Sequence, residues 1–182
     1  FSEEEIEYIE MPSRFPVENR LIKFRAVGRI NKDNTEKLIP KMVYELEKIL
    51  DFHKDSKGLI HAPSYRVAEM LSEAMKVSSH AHRFLFQDRT PGSAKIIMQA
   101  HVESSLPTVL ISPGFKEGVD LKGDLSRFQV VVKTPYPNLG DPAVKELSAR
   151  DHSWYISRTI VDLLQMVGRS IRSESDYAAT YC

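Results

Sequence analysis

Between about Asn34 and His53 the apolar residues Leu38, Met42, Leu46, Ile49 and Leu50 recur at helical spacing, and Asp33 or Asn34 stands where an N-cap belongs. This predicts an amphipathic helix with one buried face. The run from Lys57 to Pro63 is short, apolar and bounded by breakers, so it reads as a strand. Ser64 then caps a helix whose Val67, Leu71, Ala74 and Met75 share a side. Further strands are predicted at Leu21–Phe24, His82–Phe86, Pro107–Ser112 and Phe128–Lys133, the last β-branched and closed by Pro135 and Pro137. Helices are predicted over Ser93 to about Val102 and over His152–Val167, the second burying Ile156, Ile160, Leu163, Leu164 and Val167. Short apolar strands alternating with helices imply an α/β fold, a mostly parallel sheet flanked by helices on both faces.

Composition narrows the class. The 182 residues fit one domain at the usual ~150 residues per domain, large enough for a real core. Hydrophobic residues at 42% and charged residues at 27% are ordinary for a globular protein. Residues 1–20, with Glu3, Glu4, Glu5, Glu7 and Glu10 and with Pro12 and Pro16, read as an acidic, proline-containing surface segment leading into a domain at 21–182. Lys+Arg 25 balances Asp+Glu 25, so any nucleic-acid contact must come from a local patch. Cys182 is the one cysteine, which leaves no intrachain disulfide and no CxxC metal pair. The sequence has no apolar run near the ~18 residues of a membrane span, so the expectations are no membrane partner and a cytoplasmic place, nuclear in a eukaryote. With Phe1 in place of an initiator Met, the chain reads as a piece of a longer polypeptide.

In an open parallel sheet, ligands bind beyond the carboxyl ends of the strands, so the loops that follow strands carry the candidate chemistry. Ala62-Pro63-Ser64-Tyr65 offers a hydroxyl and free N–H groups at a helix start, suited to a nucleic-acid phosphate or serving only as an N-cap. Ser112 to Asp120 sets Lys116, Glu117 and Asp120 between Gly114, Gly118 and the most apolar strand, a longer and more charged connection than a plain turn needs. Thr134 to Pro142 is a rigid, partly aromatic loop that reads as a connector. Gln165-Met166-Val167-Gly168-Arg169-Ser170-Ile171-Arg172 brings two arginines to one side of a turn, with Gly168 permitting close approach and Gln165 adding a donor and an acceptor. Such a cluster suits a polyphosphate, and the alternative is a solvated basic helix end. His80 and His82 do not make a helical metal pair, and the chain contains no GxxxxGK[ST] phosphate loop.

In this order, these stretches resemble the second RecA-like lobe of superfamily-two helicases, and among them the XPD/DinG-type DNA helicases. Gly58-Leu59-Ile60-His61-Ala62-Pro63-Ser64-Tyr65 resembles motif IV, although His61 and Ala62 stand where that family is commonly aromatic. Gly114 to Asp120 resembles motif V with its EG(I/V)D core, and Lys133 to Pro137 with Asp141-Pro142 matches the proline-rich segment after it. Gln165 to Arg172 is similar to the whole of motif VI, and the likeness covers about residues 20–182.

The resemblance implies a motor in which ATP lies between two lobes, an N-terminal RecA-like lobe cradling the phosphates and Mg²⁺ and this lobe reaching across with arginines. It implies Arg169 and Arg172 as catalytic groups, Gln165, Gly168, Glu117, Gly118 and Asp120 near the nucleotide, and Ser64, Tyr65 and Lys116 on the nucleic-acid backbone. The implied partner is single-stranded or forked DNA, and this chain alone is expected to be inactive. The alternatives are an RNA helicase, a double-strand translocase of the same superfamily, or a non-catalytic interaction lobe.

Overall fold

A computed structural model of the chain describes residues 7, 9, 11, 13–115 and 121–182. Its sheet has strands β1 (Ile22–Lys23), β2 (Gly58–His61), β3 (Phe84–Phe86), β4 (Val109–Ser112), β5 (Phe128–Val131) and β6 (Ala179–Tyr181). The order across the sheet is β1-β6-β5-β2-β4-β3. Every pairing is parallel, with Leu59 of β2 opposite Leu110 of β4 and Gln129 of β5. Every residue of β2, β4 and β5 is buried, as expected of central parallel strands covered on both faces.

Register sorts the side chains into two layers. Ile60, Val109, Ile111, Phe128, Val130 and Tyr181 turn to one face, where helices α1 (Thr35–Phe52) and α2 (Tyr65–Ala74) cover them through Met42, Leu46, Ile49, Leu50, Val67 and Leu71. Leu59 and Leu110 turn to the other, against Ile97 of α3 (Ser93–Glu103) and the loop residues Phe115 and Leu121. A Cβ at Gly58 would lie 2.3 Å from the Phe128 ring, so the first position of β2 admits only glycine if that ring stays in the core.

Local signals account for most helix starts. Ser64 is extended, and its Oγ accepts from Val67 N at 3.3 Å, the predicted cap of α2. At α1 the N-cap position is Asn34, but its side chain makes no cap bond. Asn31 Oδ1 instead accepts from the backbone of Asp33 and Asn34 at 3.1 and 2.9 Å.

Three expectations are corrected. The strand predicted from His82 begins at Phe84, because His82 and Arg83 lie in a 3-10 turn. A helix α4 (Pro142–Arg150) follows the proline-rich loop, capped by Asp141 Oδ1 on Ala143 N and Val144 N at 2.8 and 3.4 Å. Finally, α5 (His152–Val167) has the predicted bounds but buries Tyr155, Thr159, Met166 and Val167, while Ile156, Ile160 and Leu164 are exposed. Val167 is buried as expected, and before it the buried stripe lies one residue round the helix from the expected one. Thr159 fits inside because its hydroxyl donates to Tyr155 O at 2.9 Å.

Candidate functional site

Those predicted residues that the structure describes fall into two groups at opposite ends of the sheet. At the carboxyl end of β2, Ser64 is exposed and Tyr65 opens α2. The Tyr65 hydroxyl accepts from Gln87 Nε2 at 3.2 Å. Gln87 Oε1 in turn accepts from the Ser112 hydroxyl, and Ser112 Oγ accepts from Gly114 N at 2.9 Å. The exits of β2, β3 and β4 are therefore fastened by one chain of polar contacts. Gln87 had no place among the sequence candidates, although a polar residue closing an apolar strand was a visible signal.

The surroundings are basic. Lys32, Ser64, Arg66 and Lys133 line a hollow of ≈ 240 Å³. Arg89 lies over the Tyr65 ring at 5.1 Å and pairs with Glu69 at 3.2 Å, while Arg66 pairs with Glu36 at 2.6 Å. Local cations on a domain of zero net charge make the kind of patch that a phosphate backbone would meet. Lys116, Glu117, Gly118 and Asp120 lie outside the described residues. Their flanks, Phe115 and Leu121, are both buried in the cluster with Leu59 and Leu110.

The second group sits where α5 ends. Gln165 is exposed on its last turn, and a 3-10 turn, Gly168–Ser170, carries Arg169 half-buried between the exposed Gln165 and Arg172. Gly168 has φ −65°, ordinary helical backbone, and a Cβ there would meet nothing within 4 Å. Among the described residues none requires that glycine, and the close approach expected from the sequence is not made within them.

Buried polar contacts hold this turn against the sheet. Gln129 Nε2 donates to Val167 O at 2.7 Å and to Thr180 Oγ1 at 3.0 Å, and Gln129 Oε1 faces His61 Nε2 at 3.1 Å. Ser170 Oγ bonds Ser126 Oγ at 2.6 Å. Asp176 Oδ2 accepts from Arg172 N at 3.0 Å and Ser173 N at 3.1 Å. Because Ser126 lies two residues before β5, the arginine turn is at the amino end of that strand, away from Ser64 and Tyr65. Among the described residues, no group of three or more His, Cys, Asp or Glu side chains could hold a metal ion. No described helix is long and apolar enough to cross a membrane.

A wholly parallel six-stranded sheet between helices, with two arginines on an anchored turn at the end of α5, makes this an α/β lobe. Residues 46–182 match the model of the helicase C-terminal domain family, and the chain belongs to that family. It is 22% identical over 173 residues to the ATP-dependent DNA helicase YoaA of Haemophilus influenzae, covering 91% of this chain and 26% of that protein. It also shares the fold of a solved apo structure of XPD, with a TM-score of 0.64 at 19% identity, over 89% of this chain and 35% of that one. The chain thus spans about a quarter of the curated relative and about a third of the solved one.

Proposed function

We propose that this chain is the second motor lobe of an ATP-dependent DNA helicase of the XPD/DinG type, coupling ATP hydrolysis between lobes to movement on single-stranded DNA and unwinding of duplex. The observation that carries the reading is the turn at the end of α5, where Arg169 and Arg172 follow one another on backbone fastened at Val167, Ser170 and Arg172. Phosphoryl transfer needs little covalent help from a protein. It needs positive charge placed where the transferring group gathers negative charge.

In this reading Arg172 and Arg169 reach the γ-phosphate, Gln165 and Gly168 border the nucleotide, and Glu117, Gly118 and Asp120 link it to the strand. Mg²⁺ and the other phosphate contacts belong to the N-terminal lobe of the same polypeptide, because this sequence has no phosphate loop. Ser64 and Tyr65 take the DNA backbone at the basic carboxyl edge, and the resemblance assigns Lys116 to the same contact. Two arginines on an anchored turn favour a motor over a pure interaction lobe, which has no need of that spacing.

The test is unwinding by the full-length polypeptide with ATP, on forked DNA and on the RNA duplex of the same sequence. The expected result is DNA unwinding with hydrolysis stimulated by single-stranded DNA. Hydrolysis indifferent to DNA, or unwinding confined to RNA, would overturn the assignment.

A further inference from the structure

Under the arginine turn lies a polar layer that no part of the reading above uses. Gln129, Ser126, Ser170 and Thr180 are each fully buried, and His61 is 2% exposed. A buried amide in the middle of an apolar strand is costly unless its donors and acceptor are matched.

The contacts fix the orientation of every member. The Val167 carbonyl can only accept, so the amide nitrogen of Gln129 faces it and the amide oxygen faces His61. His61 must then carry its proton on Nε2. The second amide hydrogen goes to Thr180 Oγ1 on the neighbouring strand. Gln129 is therefore locked across β2, β5 and β6, with one bond left over for the last residue of α5. Three residues on, the Ser170 hydroxyl is held by Ser126, whose Oγ also lies 3.2 Å from Phe128 O. Arg169 thus rides between two points tied to β5 and the residue leading into it, and Asp176 takes the backbone N–H groups of Arg172 and Ser173 just beyond.

We infer that Gln129 and Ser126 are positioning residues of the arginine turn, setting through Val167 and Ser170 where the two guanidinium groups stand before nucleotide arrives. The inference rests on the reading of Arg169 and Arg172 as γ-phosphate ligands. A guanidinium acting on a transition state must be held in place beforehand, since a displacement of the order of 1 Å costs about 100-fold in rate. The polar layer supplies that support from a part of the sheet that touches no substrate.

The experiment uses the full-length protein and measures kcat and KM for DNA-stimulated ATP hydrolysis. Gln129→Met keeps the length of the side chain and removes both donors, and Ser126→Ala removes one oxygen. Each is expected to lower kcat by about 10- to 100-fold while moving KM for ATP by less than about threefold. A residue that merely fills the core would show lost thermal stability with kcat intact.

The decisive comparison adds each substitution to the double variant Arg169→Ala/Arg172→Ala. A positioning residue acts through the arginines, so the added change should lower the residual kcat by less than about threefold once both guanidinium groups are gone. If the losses multiply, or if Gln129→Met leaves kcat unchanged, the positioning role is overturned while the arginine reading stands. If Arg172→Ala itself keeps normal kcat, the arginine reading fails first and the positioning role goes with it. Should Gln129→Met not fold, Ser126→Ala decides by the same comparison.

Discussion

Arg83 is the largest side chain wholly enclosed in the lobe, 1% exposed. Its guanidinium donates to the carbonyls of Pro107 at 2.7 Å, Leu50 at 3.2 Å, His53 at 2.9 Å and Ser56 at 2.8 Å. Two of these acceptors belong to the last turn of α1 and its C-cap, where carbonyls have no intrahelical partner, so the arginine closes the helix and ties it to the lead-ins of β2 and β4. Truncation takes a donor from four carbonyls at once, that of Leu50 in a buried contact. Arg83→Ala should therefore destabilise the lobe by about 3 kcal/mol or more, and Arg83→Lys should restore little, since an ammonium lacks the planar fork. Denaturant unfolding checks it: a midpoint within error of the parent protein would contradict the role. None of this was legible in the sequence, where Arg83 sits inside a run read as a strand. A single sequence does not distinguish an arginine that finds four carbonyls from one that faces water.

Between elements, His53 plays a comparable part. It closes α1, stacks on Phe128 of β5 at 4.6 Å and bonds the Tyr181 hydroxyl of β6 at 3.0 Å. Burial, with Lys23 and Arg83 adding to it, pushes its pKa down from 6.5 to about 4. Burial also lowers His101, whose ring lies between Thr108 Oγ1 and Leu125 O at 2.8 Å each. The unfolded chain gains a proton at His53 near 6.5 and the folded chain only near 4. Stability from this histidine is full above 6.5 and is lost as pH falls towards 4. Thermal unfolding followed from pH 7.5 downward should show a falling melting temperature in that window, flatter in His53→Gln. An equal slope in both proteins would put the titration elsewhere.

The same scale shows which elements a period can reveal. The period of α1 marked its buried face because polar residues fill the opposite side. In α5 apolar residues cover more than one stripe, and only the sheet decides that Tyr155 and Met166 go in while Ile160 stays out. β6 spans only Ala179–Tyr181, and it pairs with β5 and β1 from distant parts of the chain. No local pattern of that length announces a strand. The start of α4 was signalled by Asp141-Pro142, a cap followed by proline at the first helical position, but the neighbouring prolines hid it.

At the scale of the whole lobe, the family was legible and the arrangement of the candidate residues was not. The motifs pointed to Ser64, Tyr65, Arg169 and Arg172, and the helicase C-terminal domain family over 46–182 agrees with the resemblance they carried. Their separation is a product of chain direction: α5 runs back across the sheet from Tyr155, bonded to Pro137 O at 3.1 Å beyond the carboxyl end of β5, to Ser170 beside Ser126 at its amino end. The supports were overlooked for a related reason. Gln129 lies between Phe128 and Val130 in a strand read as β-branched, a polar residue out of pattern whose partners, Val167 and Thr180, are far away in sequence.

In the proposed function the basic carboxyl edge follows the nucleic acid and the arginine turn meets the nucleotide of the opposite lobe. Arginines that serve the transition state change the chemical step more than they change binding. Single-turnover ATP hydrolysis by full-length Arg172→Ala, beside nucleotide binding read by fluorescence, addresses that claim most directly. The chemical step should slow by about 10³- to 10⁵-fold while nucleotide affinity changes only modestly. A variant that hydrolyses ATP at near the parent rate would contradict it, and the arginines would then be a solvated basic helix end.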